Sequence, residues 1–83
     1  MQNTVADRMA EIRDLTADIL SAEPEEVESA HSFIEELDAD SLVAIELLTQ
    51  LERKYGLEIP QESVQRMTNL KTTYEVVAEI AGW

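Results

Sequence analysis

Apolar residues in this chain recur at helical spacing in three separate stretches, and no stretch alternates them as a half-buried strand requires. Between Thr4 and Leu20 they fall at Val5, Met9, Ile12, Leu15 and Ile19, with charges between them. That spacing predicts an amphipathic helix about 25 Å long. A second helix is expected to begin at Asp40 or Ser41, either of which can cap it. Its inward stripe is Leu42, Ile45, Leu48 and Leu51, widened by Val43 and Leu47, and Tyr55 and Gly56 mark its end. The string LEIPQESVQRM then predicts an extended Leu57 to Ile59, with Pro60 at or near the start of a short helix running to about Met67. A last helix, Leu70 to Ala81, presents Leu70, Tyr74, Val77 and Ile80 and has Thr68 or Asn69 as its cap.

The expected fold class is all-α, a small four-helix bundle of three main helices plus one short helix. A long loop separates helices one and two. This loop, SAEPEEVESAHSFIEELDAD, has no sustained period, and loops of that length are commonly functional. Pro24 can open one short turn within it, and Val27, Phe33, Ile34 and Leu37 are expected to pin it to the core. Residues 1–83 read as a single domain without internal repeats, and the Met start with an early helix favours a discrete protein.

An 83-residue chain has little interior in which to bury a deep active site. With 0 Cys it can form no disulfide and no thiolate metal site, so any thiol chemistry must arrive on something attached. Eighteen acidic residues against 6 basic ones leave a net charge of -12. Nucleic acid and anionic membranes are therefore poor partners, and basic protein surfaces are good ones. Neither a membrane-spanning apolar run nor a leader-like N-terminus is present, so the chain reads as soluble and cytoplasmic. Stripes fully used by one small core, with high like charge, make it monomeric when free.

Candidate chemistry narrows quickly. The single histidine, His31, lies in the long loop, and a hydrolase built from it and Ser41 would need an orienting acid, an oxyanion hole and a pocket. DADSLVA also lacks the glycines of a nucleophile elbow. No catalytic residue is assigned. Asp38 and Asp40 resemble the opening of a calcium loop, but its glycine position holds Val43 and its closing glutamate position holds Thr49. No metal site is assigned either.

Ser41 is left as the residue with a reason to be where it is. A helix start gathers free N–H groups and the positive end of the dipole, so an anionic group formed on this hydroxyl would be stabilised there. The preceding loop also lets an external enzyme reach it.

The string FIEELDADSL at Phe33 to Leu42, then Glu46-Leu47 and LERKYGLEIP, resembles the acyl carrier proteins. The likeness extends through MTNLKTTYEVV and so covers essentially the whole chain. The resemblance implies that a phosphopantetheinyl transferase attaches 4′-phosphopantetheine from coenzyme A to Ser41, and that acyl groups ride on its thiol as thioesters. It implies a non-catalytic carrier whose partners, among them ketosynthase, acyltransferase and other acyl-processing enzymes, carry basic docking patches.

By the same resemblance the docking surface comprises Glu35, Glu36, Asp38, Asp40, Leu42, Val43, Glu46 and Glu52. Carriers of fatty acid synthesis typically place an acid where this chain has Val43, and continue acidic where it has Arg53 and Lys54. Those departures point to polyketide or related specialised acyl biosynthesis, with primary fatty acid synthesis as the alternative. A nonribosomal peptidyl carrier fits the acidic DADSL less well. A reading of another class is an unmodified acidic interaction module, in which Ser41 is only a cap.

Overall fold

The computed structural model describes residues 4–83, so residues 1–3 of the expected 1–83 domain lie outside it. Helix α1, Val5–Leu20, starts at a reciprocal cap: Thr4 Oγ1 accepts the Asp7 N–H at 3.1 Å, and the Asp7 carboxylate accepts the Thr4 N–H at 3.3 Å. It ends at Ser21 in the left-handed conformation.

The long loop is not structureless. It contains α2, Pro24–Ser29, and α3, Phe33–Glu36. Each is too short to show a helical period, and each is closed locally by side chains. Glu26 accepts the Glu23 N–H at 2.9 Å, with Pro24 at the first helical position, where its missing N–H costs nothing. Ser32 Oγ accepts the Glu35 N–H at 3.3 Å. A long-range bond from the Phe33 N–H to the Thr68 carbonyl, 2.8 Å, ties α3 to the far end of the chain.

Helix α4, Ser41–Tyr55, and α5, Leu70–Ala81, match their expected bounds. Gly56 closes α4 at φ 65°, a left-handed geometry that glycine adopts without strain. Asn69 caps α5 by accepting the Thr72 N–H at 2.9 Å. The short helix between them, Gln61–Arg66, is a 3-10 helix that follows Pro60.

Helix α1 packs against α2, α4 and α5, and the 3-10 helix bridges α4 and α5. Ile12, Val27, Leu51, Val76 and Val77 are fully buried at the centre. Truncating a residue such as Leu51 to Ala would cost about 2–5 kcal/mol. The expected stripes were one residue type too simple. Thr16, Ala17 and Thr73 are buried, whereas Val5, Ile34 and Ile80, expected inside, are exposed, as is Leu42, which spacing placed in the stripe and the resemblance on the docking surface. In α1 and α5 a threonine in the stripe lies deeper than the apolar residue at the helix end, because helix ends overhang the short bundle. At the end remote from Ser41, the Trp83 ring meets Tyr55 edge-on, centroids 5.0 Å apart, and Arg8 lies 4.1 Å above it.

Candidate functional site

The polypeptide reaches α4 through Leu37, Asp38 and Ala39. Asp38 takes φ 56°, an αL geometry that few residues other than glycine tolerate and to which Asp and Asn are the usual exceptions. Ala39 is buried and its N–H donates to the Phe33 carbonyl at 3.1 Å. This kink turns the chain so that Asp40 caps α4, its Oδ1 accepting the Val43 N–H at 3.0 Å. Ser41 is therefore the first helical residue rather than the cap.

Ser41 is exposed, and its hydroxyl has no hydrogen bond among the described residues. The backbone N–H groups of Ser41 and Leu42 likewise have no acceptor among them, since the cap takes Val43 and the Asp40 carbonyl takes Ala44. Donors and positive dipole thus concentrate beside a free hydroxyl, an arrangement suited to an anionic ester.

Ser41 also lines a cavity of about 180 Å³ between α1, α3, α4 and the segment around Met67. Its walls are mainly apolar: Ile19 and Leu20 from α1, Phe33, Ala39, Val43, Ala44 and Leu47 around the start of α4, and Val64 and Met67 opposite. Thr16 contributes, but its hydroxyl is spent on the Ile12 carbonyl at 2.7 Å. No single-helix pattern signals this space. It arises where four elements meet, with the small residues Ala39 and Ala44 leaving room in its wall.

The expected surface residues divide into several environments. Leu42 projects outward, 76% exposed, with Glu46 one turn further and Ile34 near the cavity rim at 58%. Glu35, Asp38 and Asp40 are exposed on the approach to Ser41. Glu36 is exposed too, but its carboxylate accepts the N–H groups of His31 and Ser32. Glu52 is half-buried and accepts the Ile59 N–H at 2.8 Å, which anchors the extended Leu57–Ile59 segment to α4. Val43, expected on the docking surface, is half-buried in the cavity wall. His31 is exposed, with its carbonyl held by Asn69 Nδ2 at 3.1 Å. Among the described residues no group of three or more His, Asp or Glu side chains is arranged to hold a metal ion. None of their helices is long and apolar enough to cross a membrane.

Comparison with known proteins agrees with this geometry. A family profile described as phosphopantetheine attachment site matches residues 10–81. Polyketide-8 synthase acyl carrier protein 1 of Streptomyces avermitilis is 45% identical over 76 residues, covering 92% of this chain and 90% of that protein. The acyl carrier protein of Rubrobacter xylanophilus is 38% identical over 71 residues, covering 86% and 88%. A chain in the solved structure described as the ishigamide ketosynthase/chain length factor superposes with a TM-score of 0.77 at 36% identity, covering 93% of this chain and 97% of that one.

Proposed function

The chain belongs to the acyl carrier protein family, and from that premise we propose that Ser41 bears its 4′-phosphopantetheine arm in a polyketide-type acyl pathway. The observation that carries this reading is the exposed Ser41 hydroxyl, free of internal hydrogen bonds, at the first position of α4 and beside an apolar cavity. When attached, the arm supplies the thiol that a cysteine-free chain lacks, and acyl groups are held on it as thioesters.

The chain's own residues present and protect the attachment point. Asp40 holds the helix start in place, leaving the Ser41 and Leu42 N–H groups to face a phosphodiester. Leu42 offers an apolar contact next to Ser41, and Glu35, Asp38, Asp40 and Glu46 surround it with negative charge. That combination fits enzymes with basic docking patches: a phosphopantetheinyl transferase first, then a ketosynthase, an acyltransferase and other acyl-processing enzymes. The cavity is comparable to an engineered void of about 150 Å³ that admits benzene, so it accommodates an acyl chain of about six carbons.

The chain acts in this reading as a single, non-catalytic, cytoplasmic domain that is monomeric when free. Its 45% identity to a polyketide synthase carrier supports that pathway class over primary fatty acid synthesis. The match to an attachment-site profile weighs against an unmodified interaction module.

The test is intact protein mass after incubation with coenzyme A, magnesium and a broad-specificity phosphopantetheinyl transferase, with Ser41→Ala alongside. The expected result is a gain of one phosphopantetheine on the wild type and none on the variant. No gain on folded wild type, with a known carrier modified in parallel, overturns the reading; a gain on Ser41→Ala relocates the site.

A further inference from the structure

Steps of four, three and four residues put Leu42, Glu46, Thr49 and Arg53 along one line of α4. Leu47, Leu48 and Leu51 bury the opposite side, so this line faces outward. Along it the surface changes from apolar to acidic to neutral to basic, with Arg53 about 10 Å beyond Glu46 along the axis.

Arg53 stands apart from most of the chain's 6 cations. Arg13 pairs with Asp14 and Glu28, and Arg66 with Glu79. Arg8 is stacked on Trp83, and Lys54 lies 5.7 Å from the Tyr55 ring centroid. Arg53 is exposed and has no ion pair or ring contact among the described residues. In a chain with 18 acids, the positions three and four residues either side of it are Thr49, Gln50, Gly56 and Leu57, none of them acidic. The adjacent carboxylate of Glu52 is engaged by the Ile59 N–H. Arg53 is thus a free cation on the same outward line as the acid of the docking surface.

We propose that Arg53 is a docking residue, and that the face of a polyketide ketosynthase which receives α4 is bipolar. Cations on that face meet Glu46, and a carboxylate about 10 Å further along meets Arg53. The inference rests on the carrier reading above and deepens it. A uniformly basic face would repel Arg53, so this residue discriminates among partners by opposing the wrong one as well as attracting the right one.

The experiment measures binding of the phosphopantetheine-loaded protein to the ishigamide ketosynthase/chain length factor by fluorescence anisotropy at physiological salt. Arg53→Glu is expected to weaken binding about tenfold and Arg53→Gln about threefold, with Arg53→Lys within about twofold of wild type. Lys54→Gln controls for folding. It removes the same favourable charge from the last turn of α4 but at a different angle around the helix, and is expected to leave affinity unchanged. Unchanged or tighter binding by Arg53→Glu overturns the inference, as does a Lys54→Gln loss equal to that of Arg53→Gln. Loaded wild type that does not bind the pair overturns it too. A wild type that takes up no phosphopantetheine instead fails the carrier reading itself, which separates the two failures.

Discussion

Asp40 closes α4 by accepting the Val43 N–H at 3.0 Å, so the residue before Ser41 performs the capping that Ser41 could itself have performed. The division of labour leaves the serine hydroxyl unspent. A cap that bonds its own backbone is a poor nucleophile's position, whereas a first helical residue projects freely beside unclaimed N–H groups.

Capping and charge at Asp40 can be separated. Asp40→Ala is expected to lower stability by about 1 kcal/mol, while Asp40→Asn keeps the cap and changes stability by only a few tenths of a kcal/mol. Loading of Asp40→Asn by a phosphopantetheinyl transferase is expected to slow at low salt, since the docking charge is gone. Denaturant titration and loading rates measured on the same samples check both parts, and unchanged loading would leave Asp40 a cap alone.

Thr73 is fully buried and its hydroxyl has no hydrogen-bond partner among the described residues. Replacing it by the near-isosteric valine removes an unsatisfied polar group at little steric cost, so Thr73→Val should raise stability by about 1 kcal/mol. Thr16 is the internal contrast, because its hydroxyl donates to the Ile12 carbonyl at 2.7 Å. Thr16→Val is expected to bring no gain. Equal effects of the two valines in chemical denaturation would show that the Thr73 hydroxyl is satisfied in solution.

The Tyr55 phenol is pushed above its ordinary value of 10.0, first by burial and then by its 2.8 Å hydrogen bond to Glu11, with Arg8 acting the other way. The folded state therefore holds this proton more tightly than the unfolded chain does. Its contribution to stability is complete below pH 10 and is lost as pH rises from there toward the folded value. Denaturation midpoints across alkaline pH should fall more steeply for wild type than for Tyr55→Phe. Parallel curves would remove Tyr55 as the origin of the alkaline loss.

The excess of acids over bases sets the response to salt. Ion pairs such as Arg13 to Glu28 and Arg66 to Glu79 are at the surface, where each is worth little and screening costs little. The net charge of -12 outweighs them, and its self-repulsion is relieved by counterions. Raising salt from low to physiological is expected to increase the melting temperature by about 4–8 °C, the shift that corresponds to about 1 kcal/mol. A calorimetric melting point flat over that range would show that the acids are dispersed widely enough not to oppose folding.

The long helices were legible because each repeats its apolar signal over several turns and ends on a residue with a backbone reason to be there. Gly56 at φ 65° and Asn69 bonded to Thr72 are such residues. Of the two helices of the first connection, only the opening of α2 at Pro24 was legible. Four or six residues carry no period, and α3 is held partly by a bond to Thr68, a partner 35 positions away that no local pattern reveals. Exposure of Ile34 was hidden for a related reason, and spacing alone misplaced Leu42, which only the resemblance put at the surface: spacing shows which side chains share a helix face, but not where that face runs out of neighbours. Ser41 could be singled out from its local string. The cavity beside it could not, since its walls come from residues spread between Thr16 and Thr68.

That cavity makes the fold unequally stable depending on what it holds. Its mainly apolar walls open to solvent beside the exposed Ser41 and Ile34, so covering them would add stability. In the proposed loaded form a tethered chain that settled there would cover those walls, so cargo and scaffold would stabilise one another through ordinary mass-action linkage. The partner that takes the chain must then supply the same energy to draw it out. The space beside Ser41 would then set a threshold for delivery, one that a docked enzyme with a better-fitting pocket is placed to meet.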